Sequence, residues 1–152
     1  MSKVKDALLA LKNQLAQITP AKGFLTDLEG RVQISFLAYD LDNLNPKTPR
    51  IIVQHGATVR AEAQTRRARL EYTPEIMMVV DASGDTEQFI TALIDLEADV
   101  RACLHHAAFE QALDGEAMKI EVGVCDPAVI EDSRYALAVL PVTLTIIENY
   151  GD

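Results

Sequence analysis

The chain has 152 residues, of which 49% are hydrophobic and 24% are charged, a balance typical of a folded globular protein and unlike that of a disordered one. Its formal net charge of −9 argues against tight, sequence-independent binding to DNA, which depends on neutralising phosphates. At this length we expect one domain, spanning residues 1–152.

Neither a membrane span nor a signal peptide is predicted, because no apolar run approaches the roughly 20 residues that a span needs. We therefore expect a cytosolic protein with no membrane partner. The two cysteines, Cys103 and Cys125, are predicted to stay reduced, since isolated thiols in an acidic soluble chain usually do. A disulfide between them is the alternative.

Residues 3–18 are predicted to form an amphipathic helix with Ser2 as its cap. Apolar residues recur at steps of three or four, namely Val4, Leu8, Leu11, Leu15 and Ile18. Thr19-Pro20 ends the helix, since the residue before a proline disfavours helical angles. Packing against a core is favoured over a membrane-surface role, because the polar face is only modestly basic and the apolar face lacks aromatic residues.

Two strands are predicted in the next part of the chain. Val32, Ile34 and Phe36 alternate with polar residues and indicate a short strand, and residues 39–49 have the composition of a surface loop. A second strand is expected over Arg50–Val59, where Pro49 suits the entry because its missing amide need not join the ladder.

Residues 60–69 connect this strand to the next and contain neither glycine nor proline, so a tight hairpin turn is not expected. The pattern predicts a long hairpin that either has a mobile tip or extends well beyond the core. Four arginines lie in it: Arg60, Arg66, Arg67 and Arg69. They indicate either a solvated tip or a contact with carboxylates of a neighbouring copy or partner. Nucleic-acid binding is less favoured, because no aromatic residues interleave the arginines.

The second half of the chain predicts strand, long helix, strand. Residues 69–81 alternate, with Leu70, Tyr72, Ile76, Met78 and Val80 on one face. After a Ser83-Gly84 turn, Asp85 and Gln88 form a capping-box pattern, and Gly115 closes the helical region. The apolar stripe of this helix is Phe89, Leu93, Leu96, Val100, Leu104 and Ala107.

An additional strand is predicted at 118–124, followed by a loop around Asp126-Pro127. The last strand, 134–150, has one apolar face, formed by Ala136, Ala138, Leu140, Val142, Leu144 and Ile146. Pro74 and Pro141 interrupt two strands and indicate edge positions or bulges. The expected fold class is α+β: a mainly antiparallel sheet with an N-terminal helix and a long helix packed on it, plus an extended β-hairpin.

No catalytic, cofactor-binding or metal site is predicted, and no enzymatic activity. His105 and His106 are adjacent on a helix and point about 100° apart, so they cannot chelate one ion from the same face. Cys103 with His106 has a chelating spacing but no second pair close in sequence. Neither a glycine-rich phosphate loop nor a Gly-x-Ser-x-Gly elbow occurs. The carboxylates of Asp95, Glu97 and Asp99 are interpreted as a solvated helix surface, and His55 as structural or exposed.

The order of elements resembles the tail terminator, or tail-completion, proteins of long-tailed phages, a group that includes the lambda gene U product. The resemblance is carried by the proline-led strand Pro49–Gln54, the charged hairpin, the strand Leu70–Asp81, the helix around Phe89–Arg101 and the final strand Ser133–Tyr150. Thr19–Leu28 resembles a segment of Mu-like prophage relatives, whereas Gly30–Thr48 departs from the lambda-type pattern.

This resemblance implies a non-enzymatic assembly protein. Members of the family form hexameric rings that cap the growing tail tube, stop its polymerisation and supply the surface for the head connector. The implied partners are other copies of this chain, the tail tube protein and the head-completion or connector protein. DNA would pass through the channel without specific binding. The expected location is the cytoplasm of the bacterial host during assembly, and the tail in the virion.

Three other classes stay open at the level of sequence. One is a different head–tail joining or minor tail protein with the same domain pattern. Another is a small-molecule or peptide-binding module, which a large apolar cavity would favour. An enzyme with a site assembled from scattered residues is the third, and a strongly perturbed pKa in a cleft would favour it.

Overall fold

The structure is a computed structural model that describes residues 3–37, 47–63, 66–110, 117, 119–129 and 134–150. Its elements, in chain order, are α1 (Lys3–Leu15), a 3-10 turn (Pro20–Lys22), β1 (Val32–Ile34), β2 (Arg50–Ala63), β3 (Arg67–Asp81), α2 (Thr86–Glu110), β4 (Lys119–Val122), β5 (Asp126–Val129) and β6 (Tyr135–Asn149). The predicted α+β class is confirmed. No helix in these described ranges is both long and apolar enough to cross a membrane.

The strands form one mixed sheet in the order β1-β2-β3-β6-β4, with β5 also pairing with β6. The pairs β2–β3, β3–β6, β4–β6 and β5–β6 are antiparallel, as predicted. The β1–β2 pair is parallel, with Val32 opposite Ile51, a detail that the prediction of a mainly antiparallel sheet did not specify. Residues 35–49 separate the two strands, and a connection of that length permits a crossover that a hairpin turn would not.

The main core lies between the helices and one face of the sheet. The apolar residues predicted for that face of β3 and β6 are all buried there, from Leu70 to Val80 and from Ala136 to Ile146. Leu11 and Leu15 of α1 meet the α2 stripe, of which Leu96 and Val100 are fully buried. Each such Leu, Ile or Val contributes about 1.5–3 kcal/mol relative to an exposed one, so this layer is the principal source of stability.

At one end, the sheet consists of three long strands, β2, β3 and β6. β3 and β6 pair along their full length, from Arg67 opposite Asn149 to Asp81 opposite Tyr135. β2 and β3 pair as far as Ala63 opposite Ala68, so the predicted extended hairpin is confirmed and β6 adds a third strand to it. We call the end of these strands, together with Arg66 just before β3, the arm: residues 57–63, 66–73 and 143–150. Residues 64 and 65, between β2 and β3, lie outside the described residues, so the alternative of a mobile tip stays a prediction.

Pro74 lies at a β-bulge, as its position predicted. The β2–β3 register shifts between Gln54 and Ala57, opposite the segment around Pro74. Gly56 fits this bulge because any side chain would clash: a Cβ there would lie 1.8 Å from the carbonyl oxygen of Thr73. Position 56 must therefore be glycine, because the backbones of β2 and β3 come too close together at the bulge for any side chain.

Pro141 lies in β6, a strand inside the sheet. The edge of the sheet beside β6 is interrupted opposite this proline. β4 and β5 both pair with β6 on the same side, at 142–145 and at 136–139, and the break between them is opposite Pro141. Gly123 in this break donates its N–H to the carbonyl oxygen of Pro141 at 2.8 Å. Because proline has no N–H, it cannot donate a second hydrogen bond to the edge strand here. The edge is therefore divided at this point into β4 and β5.

Several predicted details are wrong or untested. The loop expected around Asp126-Pro127 is strand β5, because an edge strand tolerates a proline and the pairing with β6 outweighs the local turn signal. α1 ends at Leu15 rather than residue 18, although Ile18 is buried in the following turn. Phe36 is exposed and lies beyond β1. The predictions for Ser2, for Gly115 and for most of the 39–49 loop fall outside the described residues.

The opposite face of the sheet has a small apolar cluster that the alternation did not predict. Ile52, Met77, Val79 and Tyr135 pack together there, with Leu37 and Val139 at the margin. Met77 and Val79 occupy the positions of β3 that face away from the helices. The sheet is thus apolar on both faces near the end where α2 begins.

Candidate functional site

Groups that could perform chemistry are not assembled into a site in the described part of the chain. Among those residues, no three His, Cys, Asp or Glu side chains lie close enough together to hold a metal ion. His105 and His106 are exposed on α2, and the ring of His55 is exposed with Nδ1 2.7 Å from the hydroxyl of Tyr72. Burial raises the pKa of Tyr72 above its usual 10.0, so this phenol is protonated at neutral pH.

Cys103 and Cys125 are both free thiols, as predicted. Cys103 is buried, and its thiol donates a hydrogen bond to the carbonyl oxygen of Gln14 at 3.2 Å, which joins α2 to α1. Burial raises the pKa of Cys103 to about 11, and burial together with the Glu97 carboxylate raises the pKa of Cys125 to about 11. Neither sulfur is an activated nucleophile at neutral pH, since the thiolate is the reactive form.

Asp99 is not part of a solvated surface, which corrects the interpretation of the Asp95, Glu97 and Asp99 cluster. Its side chain is 4% exposed and accepts hydrogen bonds from the N–H of Leu25 at 3.1 Å and of Thr26 at 2.7 Å. The Thr26 hydroxyl donates a third bond at 2.6 Å. Asp99 lies three residues after Leu96, on the apolar stripe itself, and that spacing is the signal that could have identified it.

The four arginines predicted as interface candidates gather at the arm. The guanidinium of Arg60, on β2, lies 5.8 Å from the ring centre of Tyr150, and the Tyr150 N–H donates to the Arg66 carbonyl at 2.7 Å. Arg67 and Arg69 are exposed on β3 and alternate with the buried residues of that strand. The fold therefore brings together residues from three strands, whereas the interface role of the arginines stays a prediction.

An apolar groove lies at the other end of the sheet, between α2 and strand β5. We call it the α2–β5 groove; its volume is about 630 Å³, and its lining includes Ile90, Leu93, Ile94, Cys125, Pro127 and Ala138. Ile90 and Ile94 are 46% and 57% exposed, and Val124, beside Cys125 in sequence, is 83% exposed. Sequence reasoning missed this surface, although Ile90 and Ile94, four residues apart, mark a second apolar row beside the predicted stripe.

The rim of the α2–β5 groove is acidic. Glu97 lines the groove and forms an ion pair with Arg101 at 3.1 Å. Glu97 and Asp126 are both near enough to Cys125 to raise its pKa electrostatically. Glu87 is exposed and lies three residues before Ile90 on the same helix. The groove thus combines an apolar floor with one lining carboxylate, Glu97, and a second, Asp126, near its residue Cys125.

A second cleft, of about 500 Å³, lies between residues 25–31, Pro49 and the turn from β3 to α2. Asp81 on its wall is already engaged: it pairs with Arg134 at 2.5 Å and accepts bonds from the N–H and hydroxyl of Ser83. The hydrogen bond from Arg134, with those from Ser83, lowers the pKa of Asp81 from 3.8 to about 2. This carboxylate is held in a structural contact and is not poised as a general base at neutral pH.

Comparison with known proteins connects the fold to a virus-like particle. No protein-family model and no curated protein matches the chain. Among solved structures, it resembles a chain from the virion of a native gene transfer agent particle, with a TM-score of 0.64 and 16% sequence identity. The match covers 92% of this chain and 93% of that chain. At this identity the likeness establishes a shared fold.

Proposed function

We propose that this chain is a structural subunit of a phage-type particle, and that it acts there as a tail terminator. The observation that carries the proposal is the fold shared with a gene transfer agent virion chain over nearly the full length of both. The resemblance of the sequence to tail terminator proteins supports the finer assignment, because it is carried by the residues and not by the fold alone.

In this role, copies of the chain close into a ring, which has six subunits in that family. The ring caps the tail tube, ends its polymerisation and presents a surface to the head connector. A closed ring needs two different patches on each subunit, since head-to-tail contacts join unlike surfaces. The arginine arm and the acidic, apolar α2–β5 groove are two such unlike surfaces. The net charge of −9 would allow DNA to pass through the channel without being held. No catalytic step belongs to this function.

Electron microscopy of the purified protein, together with a tail-capping assay, tests the proposal. We expect closed rings with a central pore, and we expect tail tubes grown in the presence of the protein to stop at a defined length. Tubes that elongate equally with and without it would contradict the terminator role. Rings without capping activity would instead favour a different head–tail joining or minor tail protein.

A ligand-binding module is the second candidate, and the size of the α2–β5 groove is the observation that favours it. Its volume of about 630 Å³ lies within the range of small-molecule sites, which are mostly apolar with a few polar groups. Tight binding of a small apolar ligand by a protein that stays monomeric at high concentration would replace the structural proposal with this one.

A further inference from the structure

We infer that the α2–β5 groove is the receptor for the arginine arm of a second copy of this chain. The inference deepens the proposed ring function and rests on it, because it names the two surfaces that would meet at each subunit boundary. The arginines were predicted as one half of a contact; the structure supplies a candidate for the other half.

The two surfaces lie at opposite ends of the molecule. The arm contains the start of β3, whereas the groove is lined by Ala136 and Ala138, which pair with Val80 and Met78 near the end of the same strand. Arg67, at the far end of the arm, and Met78, opposite the groove residue Ala138, are 11 positions apart on β3, which is roughly 36 Å at about 3.3 Å per residue. An arm therefore cannot reach the groove of its own subunit, and any contact between them joins two copies head to tail.

Both surfaces contain exposed apolar residues. On the groove side these are Ile90, Ile94 and Val124. On the arm, Val59 is 58% exposed, and Tyr150 is 41% exposed with its ring under the guanidinium of Arg60. Burying them between two subunits would remove apolar area from water at both ends of the molecule, which is the usual driving force for association.

The charges of the two surfaces are complementary. The arm contains four arginines and three glutamates, Glu62, Glu71 and Glu148, and is therefore slightly basic within a chain whose net charge is −9. Glu97 lines the groove and is paired with Arg101, and Asp126 lies near enough to the groove residue Cys125 to raise the pKa of that thiol. Guanidinium groups are weakly hydrated and bind carboxylates well at interfaces, so an arginine-bearing arm suits this rim better than an acidic or a purely apolar partner would.

A mixing experiment with two variants tests the pairing. Ile94→Lys places a positive charge in the groove, and Arg66→Glu with Arg67→Glu reverses charge on the arm. We expect each variant alone to associate at least about tenfold more weakly than the wild type, since central interface residues dominate affinity. Mixed at equal concentrations, the intact arm of Ile94→Lys should bind the intact groove of the arm variant. The mixture should form 1:1 pairs that do not grow into rings, measured by light scattering after size exclusion.

Two controls distinguish loss of this contact from other effects. Leu9→Lys adds the same charge to an exposed leucine on α1, away from both surfaces, and should associate like the wild type. The thiol of Cys125 provides a second control that requires no substitution. Its alkylation at about pH 9 should slow severalfold when the wild type is assembled, because the thiol lines the groove. The buried Cys103 serves as the reference that reacts only on unfolding.

The results separate this inference from the proposed function. If wild-type rings form while the variants do not pair and Cys125 stays equally reactive, the groove has a different occupant and the inference is wrong, whereas the ring function stands. If the wild type is monomeric at every concentration, both the ring and the arm–groove contact are contradicted.

Discussion

Asp99 shows how one side chain connects two parts of this fold. Its carboxylate accepts two backbone N–H groups and a hydroxyl from residues 25 and 26, far away in sequence. Those residues form the segment that follows α1, so the contact fixes the path of the chain between the first helix and β1. A buried carboxylate is stable here because its oxygens are satisfied by donors.

We expect Asp99→Asn to lower the free energy of unfolding by about 1.5–3 kcal/mol, the usual worth of hydrogen bonds to a charged group. The asparagine amide would also direct its own donors at the N–H groups of the loop. Urea denaturation measures the loss. Asp95→Asn, on the exposed side of the same helix, is the matched control and should change stability by less than about 0.5 kcal/mol. Equal stability of the two variants would refute the role of Asp99.

The Asp81–Arg134 pair predicts a specific dependence of stability on pH. The pKa of Asp81 is lowered to about 2 in the folded state from an ordinary value of 3.8. A lowered pKa stabilises the fold at pH values above about 3.8, and the stabilisation is lost as the pH falls through about 2. Asp81→Asn should therefore melt below the wild type at pH 6, with a difference that shrinks between pH 4 and pH 2.

Thermal melting across this pH range tests the prediction. Asp85→Asn, at an exposed carboxylate four residues away, provides the control and should show no comparable change of the difference with pH. A gap between Asp81→Asn and the wild type that stays constant down to pH 2 would show that the carboxylate is not engaged by Arg134.

At the scale of elements, the irregular points of the sheet are as informative as its regular strands. Gly56 permits the bulge opposite Pro74, and the break between β4 and β5 lies opposite Pro141. Bulges and breaks bend strands and end pairing locally. In this sheet they lie between the arm and the end of the sheet where α2 begins.

We expect Gly56→Ala to reduce the free energy of unfolding by about 1–3 kcal/mol, because its new Cβ would lie 1.8 Å from the Thr73 carbonyl and the strands must move apart. Gly84→Ala is the control: its Cβ would meet only the flexible Gln88 side chain, at 3.2 Å, so the change should stay within about 1 kcal/mol. Denaturant titration of both proteins compares them directly. A Gly56→Ala protein of full stability would mean that the bulge relaxes freely.

At the scale of the whole molecule, a basic arm on an acidic protein predicts assembly that depends on salt. If the arginines face carboxylates of a neighbour, raising the ionic strength from 50 mM to 500 mM should weaken self-association, since salt screens exposed charges. Arg66→Glu with Arg67→Glu should associate poorly at both salt concentrations, and its dependence on salt should be weaker or reversed. Sedimentation equilibrium gives the association constants.

The matched control for this prediction is Lys3→Glu with Lys22→Glu, which makes the same change of net charge at exposed positions away from the arm. It should keep the wild-type dependence on salt. Equal weakening by the control pair would mean that overall charge repulsion, and not the arm, governs association.

The types of most elements could be predicted because they depend on local periodicity. The alternation in residues 69–81 and 134–150 and the helical stripe from Phe89 to Leu104 each appear within one segment, and each became the element it indicated. Turn chemistry was less dependable: Asp126-Pro127 has a loop signal and lies in a strand, because pairing with β6 satisfies the backbone of that segment. The arm was predicted as a hairpin, but its third strand comes from residues more than 70 positions later.

The sequence by itself determined the type of most helices and strands, the face of each long element that packs in the main core, and that arginines concentrate at one hairpin, since all of these follow from spacing within a short stretch. Only the tertiary structure decided that β1 and β2 run parallel, that Asp99 is buried and that α2 and β5 leave an apolar groove between them. The physical reason is that parallel pairing, burial of a charge and the shape of a groove depend on which surfaces meet across long distances in sequence, and a local pattern does not specify those contacts.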